Sequence, residues 1–154
     1  MERKVKIIRD LTLVEKELSS ANAGVLSVSL LKDRFTQFAT TFVYQNKNIF
    51  LYLDNEELLR SVRLDSLAKF TILKDKNVSK DLIEKKDILY RLFSIVVTGI
   101  VREAEEQKTI KEIAQSFIEK YSGKLLYSDK DSQPKGKLLF VDSEELLAYD
   151  EIGF

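Results

Sequence analysis

The run Leu59-Arg60-Ser61-Val62-Arg63 is the part of this sequence best equipped for chemistry, with two guanidinium groups three residues apart and a hydroxyl beside the first. On a helical turn that spacing puts both arginines on one side, near backbone N–H groups at the start of the turn, and such a set can seat a phosphate or another anion. A plainer reading is also present: Glu56, Glu57 and Asp65 are close enough in sequence to pair with these arginines in an ordinary surface turn. Paired carboxylates occur at Glu56-Glu57, Glu105-Glu106 and Glu144-Glu145. Such pairs serve glycosidase or metal chemistry in some proteins, but here each lies where a helix starts or on a polar face, which predicts helix-dipole and solubility roles. Tyr44 and Tyr52 flank one hairpin, where they suit either an aromatic wall for a planar ligand or plain cross-strand packing.

What the chain lacks narrows the field further. Its 154 residues include no His and no Cys, which excludes Ser-His-Asp and Cys-His nucleophiles, zinc fingers, imidazole- or thiolate-bound haem, iron–sulfur clusters and disulfides. Any metal would be a hard, oxygen-ligated one. The five glycines form neither a dinucleotide fingerprint nor a P-loop. With 25 basic against 25 acidic residues the net charge is zero, which argues against nucleic acid as a partner, since affinity for phosphate backbone needs an excess of Lys and Arg. Basic residues gather at Arg3-Lys4-Lys6 and again from Lys74 to Lys86, the second group interleaved with acids and read as a solvated loop. No apolar run is long enough to span a membrane. A start of Met1-Glu2-Arg3-Lys4 carries neither a secretory nor a twin-arginine signal and predicts a cytoplasmic protein. At 44% apolar and 32% charged residues, the composition is that of a folded chain. The length predicts one domain over 1–154, hiding roughly 70% of its unfolded surface.

The elements that must position these residues follow from periodicity. A helix is predicted from Thr12 to Ala21, opened by a capping box in Thr12…Glu15 and closed by Asn22 and Gly24. Alternation then predicts strands from Gly24 to Leu30, Phe35 to Tyr44 and Ile49 to Leu53, an antiparallel meander whose second link, Gln45-Asn46-Lys47-Asn48, suits a tight hairpin. A helical turn over Glu56 to Leu64 precedes a strand from Leu67 to Leu73, and Asp75 to Lys86 reads as a polar loop or short helix. Ile88 to Val101 is a long strand in which Gly99 marks a bulge or a close backbone approach. The capping box Thr109…Glu112 opens a helix whose apolar face runs from Ile110 to Tyr121 and stops at Gly123. A loop holding Pro134 leads to a last strand from Lys137 to Val141 and a tail to Phe154. Short strands with hairpin-length links predict a mainly β fold with flanking helices, an antiparallel sheet or barrel.

In this order, the segments Phe38-Ala39-Thr40-Thr41-Phe42-Val43, Ile49-Phe50-Leu51-Tyr52-Leu53, Arg60-Ser61-Val62-Arg63-Leu64-Asp65-Ser66 and Val96-Val97-Thr98-Gly99-Ile100-Val101 resemble the FMN-binding split-barrel family, relatives of pyridoxamine phosphate oxidase. The resemblance spans nearly the whole chain. It implies a small antiparallel split β-barrel that forms a homodimer, with an FMN at each of two interface sites. By position, Thr40, Thr41 and Phe42 would line the flavin ring through strand edges, Leu53 and Asp54 would stand near the phosphate, and Arg60 with Ser61 would bind it. Redox chemistry on the flavin is the reaction this implies. Asp54, Glu56 and Glu57 crowd the expected phosphate position, and Asp65-Ser66 replaces the family's usual Asn-Pro. They keep open an alternative, a split-barrel dimer that has lost flavin and serves as a binding or regulatory module.

Overall fold

The computed structural model describes residues 2–76, 88–122 and 134–154. Eight strands and three helices lie within them: β1 (Arg3–Ile8), α1 (Leu11–Ser20), β2 (Ala23–Leu30), β3 (Arg34–Thr41), β4 (Val43–Gln45), β5 (Asn48–Leu53), α2 (Glu56–Ser61), β6 (Ser66–Asp75), β7 (Tyr90–Glu103), α3 (Gln107–Tyr121) and β8 (Lys137–Gly153). All pairings are antiparallel, in the order β3-β2-β6-β7-β8-β5-β4, with β1 added along the second half of β8. The mainly β, antiparallel expectation therefore holds. Gly123 and most of Asp75 to Lys86 lie outside the described residues.

The strand expected from Phe35 to Tyr44 is in fact two. It breaks at Phe42, so that β3 forms one edge of the sheet and β4 the other. Since one residue joins the two edges, the sheet must curl until they meet at that point. The expected meander is corrected accordingly: β5 pairs with β4 and β8, whereas β3 pairs with β2. The hairpin between β4 and β5 is as expected, a two-residue loop with Asn46 and Lys47 both at positive φ, the backbone that a tight primed turn requires.

Inside the curl, Leu26, Val28, Phe70, Ile72, Ile95 and Val97 pack with Val14 and Leu18 of α1. A second apolar cluster lies under α3, where Ile113, Phe117 and Tyr121 meet Val43, Phe50 and Leu138. Strand β5 is consequently covered on both sides, which fits its nearly unbroken apolar sequence. Gly99 sits at a register shift between β7 and β8, and a Cβ there would run into the carbonyl of Asp142. Only glycine permits that approach.

Three further expectations change. The cap of α1 is Asp10, whose carboxylate accepts the Leu13 N–H at 3.2 Å, so the Thr12…Glu15 box lies inside the helix. α3 begins at Gln107, ahead of the Thr109…Glu112 box. The basic start Arg3-Lys4-Lys6 is a strand, and the tail after Val141 continues β8 to Gly153. Both are held by ladder bonds to each other, a long-range pairing that local pattern does not reveal.

Candidate functional site

The outward positions of β2, β3 and β6 form one surface. Register aligns Val25 with Ala39 on one side and Thr71 on the other, and Ser27 with Gln37 and Lys69. Of the thirteen outward residues on these strands, Ala23, Val25, Ser27, Ser29, Phe35, Gln37, Ala39, Thr41, Leu67, Lys69, Thr71, Leu73 and Asp75, only Lys69 and the terminal Asp75 are charged, and their charges cancel. A chain that is 32% charged would be expected to place about four charges there. Val25, Phe35, Leu67 and Leu73 are all exposed on it, Phe35 and Leu73 at 66%. A groove of about 500 Å³ runs over this surface, walled by Gly24, Val25, Ala39, Thr71 and Leu73.

The sequence-predicted residues fall around it unevenly. Thr40 and Thr41 end the edge strand β3, and Thr41 pairs with Ala23 at the mouth of the groove. Thr40 pairs with the inward-facing Gly24 and donates its hydroxyl to the Thr41 carbonyl at 3.0 Å. Phe42 is fully buried, its ring 4.7 Å from that of Phe70, and it does not line the groove. Leu53 ends β5 with its side chain in the core, and Asp54 follows it, exposed.

Arg60 and Ser61 close the six-residue helix α2. Asn55 caps that helix by accepting the Leu58 N–H at 2.9 Å, and Glu56 and Glu57 fill its first turn. The Arg60 guanidinium lies 3.8 Å from Glu56 and the Ser61 hydroxyl donates to the Glu57 carbonyl at 2.9 Å. Arg63 pairs with Asp33 at 3.6 Å, while Asp65, at positive φ, holds Arg102 at 2.9 Å. The end of α2 is tied to the far end of β2, with Leu31 N–H donating to the Ser61 carbonyl and Arg63 N–H to that of Ser29. Gly24 and Leu30 are six residues apart on β2, a span of about 20 Å. The groove's lining on β2 runs from Ala23 to Ser27, short of Ser29 and Leu31 where the Arg60 turn joins the strand, and none of Thr40, Thr41, Phe42, Leu53, Asp54, Arg60 and Ser61 lines it.

Tyr44 and Tyr52 do not form a common wall. The Tyr44 hydroxyl donates to Glu15 at 2.9 Å, and burial together with that carboxylate pushes its pKa up to about 12, which keeps it protonated as a structural donor. Tyr52 packs edge-on against Phe117 at 4.9 Å. Among the described residues no group of His, Cys, Asp or Glu is placed to hold a metal ion. Among them, too, no helix is long and apolar enough to cross a membrane.

Sequence reasoning missed what holds the groove end. Tyr121, fully buried at the end of α3, accepts the Phe42 N–H at 3.0 Å and directs its own proton to the carbonyls of Phe42 and Asn22, each at 2.8 Å. The Lys120 ammonium donates to the same Phe42 carbonyl at 2.9 Å and lies 4.1 Å from its ring centroid. The available signal was a phenol and a cation adjoining at a helix end. The neutral outward surface was legible only as Ser27 and Ser29 standing where charged residues are usual.

No family model matches the chain, and no curated protein matches its sequence. Solved structures do match. An FAD binding protein from Mycobacterium smegmatis superposes with a TM-score of 0.66 at 14% identity, over 96% of this chain and 99% of that one. A Corynebacterium glutamicum protein proposed to be a pyridoxamine 5′-phosphate oxidase gives 0.59 at 14% identity, over 97% and 95%. HutZ, the heme storage protein from Vibrio cholerae, gives 0.62 at 12% identity, over 90% and 94%. These likenesses establish the fold, a mainly β split barrel with flanking helices. Of these three, the Mycobacterium smegmatis protein is named for FAD and HutZ for heme.

Proposed function

We propose that this protein binds FMN as a cytoplasmic homodimer, with the neutral surface of β2, β3 and β6 meeting its counterpart on a second copy. The observation that carries the reading is the groove on that surface, uncharged along its walls in a chain rich in charge. Such a groove suits the planar, largely apolar face of an isoalloxazine, and exposed apolar surface of this kind is what a partner copy covers. The residues present fit the group in a second respect. Arg60 keeps a guanidinium 79% exposed, in a surface pair loose enough for a dianionic phosphate to displace.

Thr40, Thr41 and the Phe42 backbone would then flank the ring, with Leu53 and Asp54 bounding the phosphate side and Arg60 and Ser61 binding it. Bound flavin supplies electron or hydride transfer, which a chain without His or Cys has no side chains to replace. The protein's part is to orient the ring and neutralise the phosphate. Charge reversal tests this directly: Arg60→Glu should abolish FMN uptake by the purified dimer, and undiminished uptake would refute the assignment of Arg60.

A second reading has its own observation. Asn55 already caps α2, and Glu56 and Glu57 occupy its first turn. Those carboxylates oppose a phosphate, and they favour a flavin-free split barrel acting as a binding or regulatory module. In that case Arg60→Glu leaves all measured ligand binding unchanged.

A further inference from the structure

We propose that Tyr121 is a positioning residue for the groove, an inference that rests on the flavin reading above. The ladder between β2 and β3 ends at Ala23 and Thr41. Its next pair would be Asn22 with Phe42, but at Phe42 the chain leaves this edge of the sheet for the opposite one. The Tyr121 hydroxyl takes the place of the missing rung, accepting from the Phe42 N–H at 3.0 Å and reaching the carbonyls of Phe42 and Asn22 at 2.8 Å. Asn22 adjoins Ala23, which lines the groove, and Phe42 adjoins Thr41 across from it. A side chain from α3, 79 residues along from Phe42, thus sets how far apart the ends of β2 and β3 stand at the groove mouth. Lys120 supports the same peptide from the adjoining position. Tyr121 touches no ligand in this scheme. It acts through the backbone of Asn22 and Phe42.

Tyr121→Phe keeps the ring, which stacks on Phe117 at 5.8 Å, and removes the hydroxyl that makes the tie. FMN and riboflavin share the isoalloxazine ring and differ in the phosphate, so titrating both separates ring placement from phosphate binding. The expected result is that folded, dimeric Tyr121→Phe binds both flavins more weakly by the same factor, about tenfold. The visible band of the bound flavin should also move toward that of free flavin, a change that lost stability alone does not produce. In the ligand-free protein the Phe42 amide should exchange faster. Arg60→Gln, by contrast, should weaken FMN and spare riboflavin. Affinities within twofold of wild type for both flavins, or weakening of FMN alone, would overturn the role given to Tyr121 while leaving the flavin reading intact. If Tyr121→Phe does not fold, Lys120→Met decides on the same split: equal weakening of both flavins supports the proposal and unchanged affinity overturns it. A wild-type protein that takes up neither flavin overturns the flavin reading and this inference with it.

Discussion

Arg60 reaches the carboxylate of Glu56, one turn back on the same short helix, at 3.8 Å, with both side chains mostly in solvent at 79% and 87% exposed. A pair so placed contributes at most about 1 kcal/mol, because water screens it and both side chains lose freedom in forming it. It holds the guanidinium in reserve without burying it. Glu56→Gln should therefore change unfolding free energy by less than about 0.5 kcal/mol and tighten FMN a few-fold by removing a competing anion. Urea unfolding and a flavin titration on the same preparation check the two halves of this expectation.

Val25 lies near the centre of the neutral surface, between Ala39 and Thr71. Val25→Asp should give a folded monomer by sedimentation and lower flavin affinity together with dimer content, since an unpaired carboxylate is costly to bury against a second copy. Leu11→Glu, at another exposed apolar site that lies on α1, should leave the assembly unchanged.

At the bulge of β7, Gly99→Ala would drive a methyl group into the Asp142 carbonyl of the neighbouring strand. The obstacle is backbone held in a central ladder, so it cannot swing aside as a side chain would. We expect a loss of about 3 kcal/mol, seen as a lower urea midpoint. A melting curve matching that of wild type would show that the register shift tolerates a Cβ.

Acid should weaken the fold through two carboxylates in particular. Lys74 donates to Glu17 at 2.6 Å and Arg91 to Asp150 at 2.6 Å, and these hydrogen bonds hold both carboxyls below their ordinary values. A depressed pKa in the folded state means that the unfolded chain takes up protons first as pH falls. Their stabilisation is present above the ordinary carboxylate pKa of about 4 and fades as pH drops through the lower folded values. The double variant Glu17→Gln, Asp150→Asn should start less stable at neutral pH and lose less on acidification. Parallel pH profiles for wild type and variant in urea unfolding would contradict this.

Much of the fold was legible because it is local. The alternation in β2, the Asn46-Lys47 turn, the bulge at Gly99 and the apolar face from Ile110 to Tyr121 each follow from a few neighbouring residues. The break at Phe42 was not legible, since the residues on either side continue one β pattern and only the curl of the whole sheet assigns them to opposite edges. The second half of β8 was not legible from periodicity for a related reason. Glu144, Glu145, Asp150 and Glu151 interrupt its apolar pattern, and the strand is fixed instead by pairing with β7 and β1. For the site, the Arg60-Ser61 turn stood out, and Glu56 was among the partners expected for it. The groove did not stand out, because it is built from small and neutral residues on three strands that the sequence separates.

A neutral groove and an Arg60 turn that together hold FMN at a homodimer interface require flavin uptake and dimerisation in one preparation. Equilibrium dialysis of the wild-type protein against FMN, with sedimentation of the same samples, reads both. The expected outcome is a dimer that turns yellow and saturates at one FMN per protomer. A folded dimer that takes up no flavin at high micromolar FMN would contradict it.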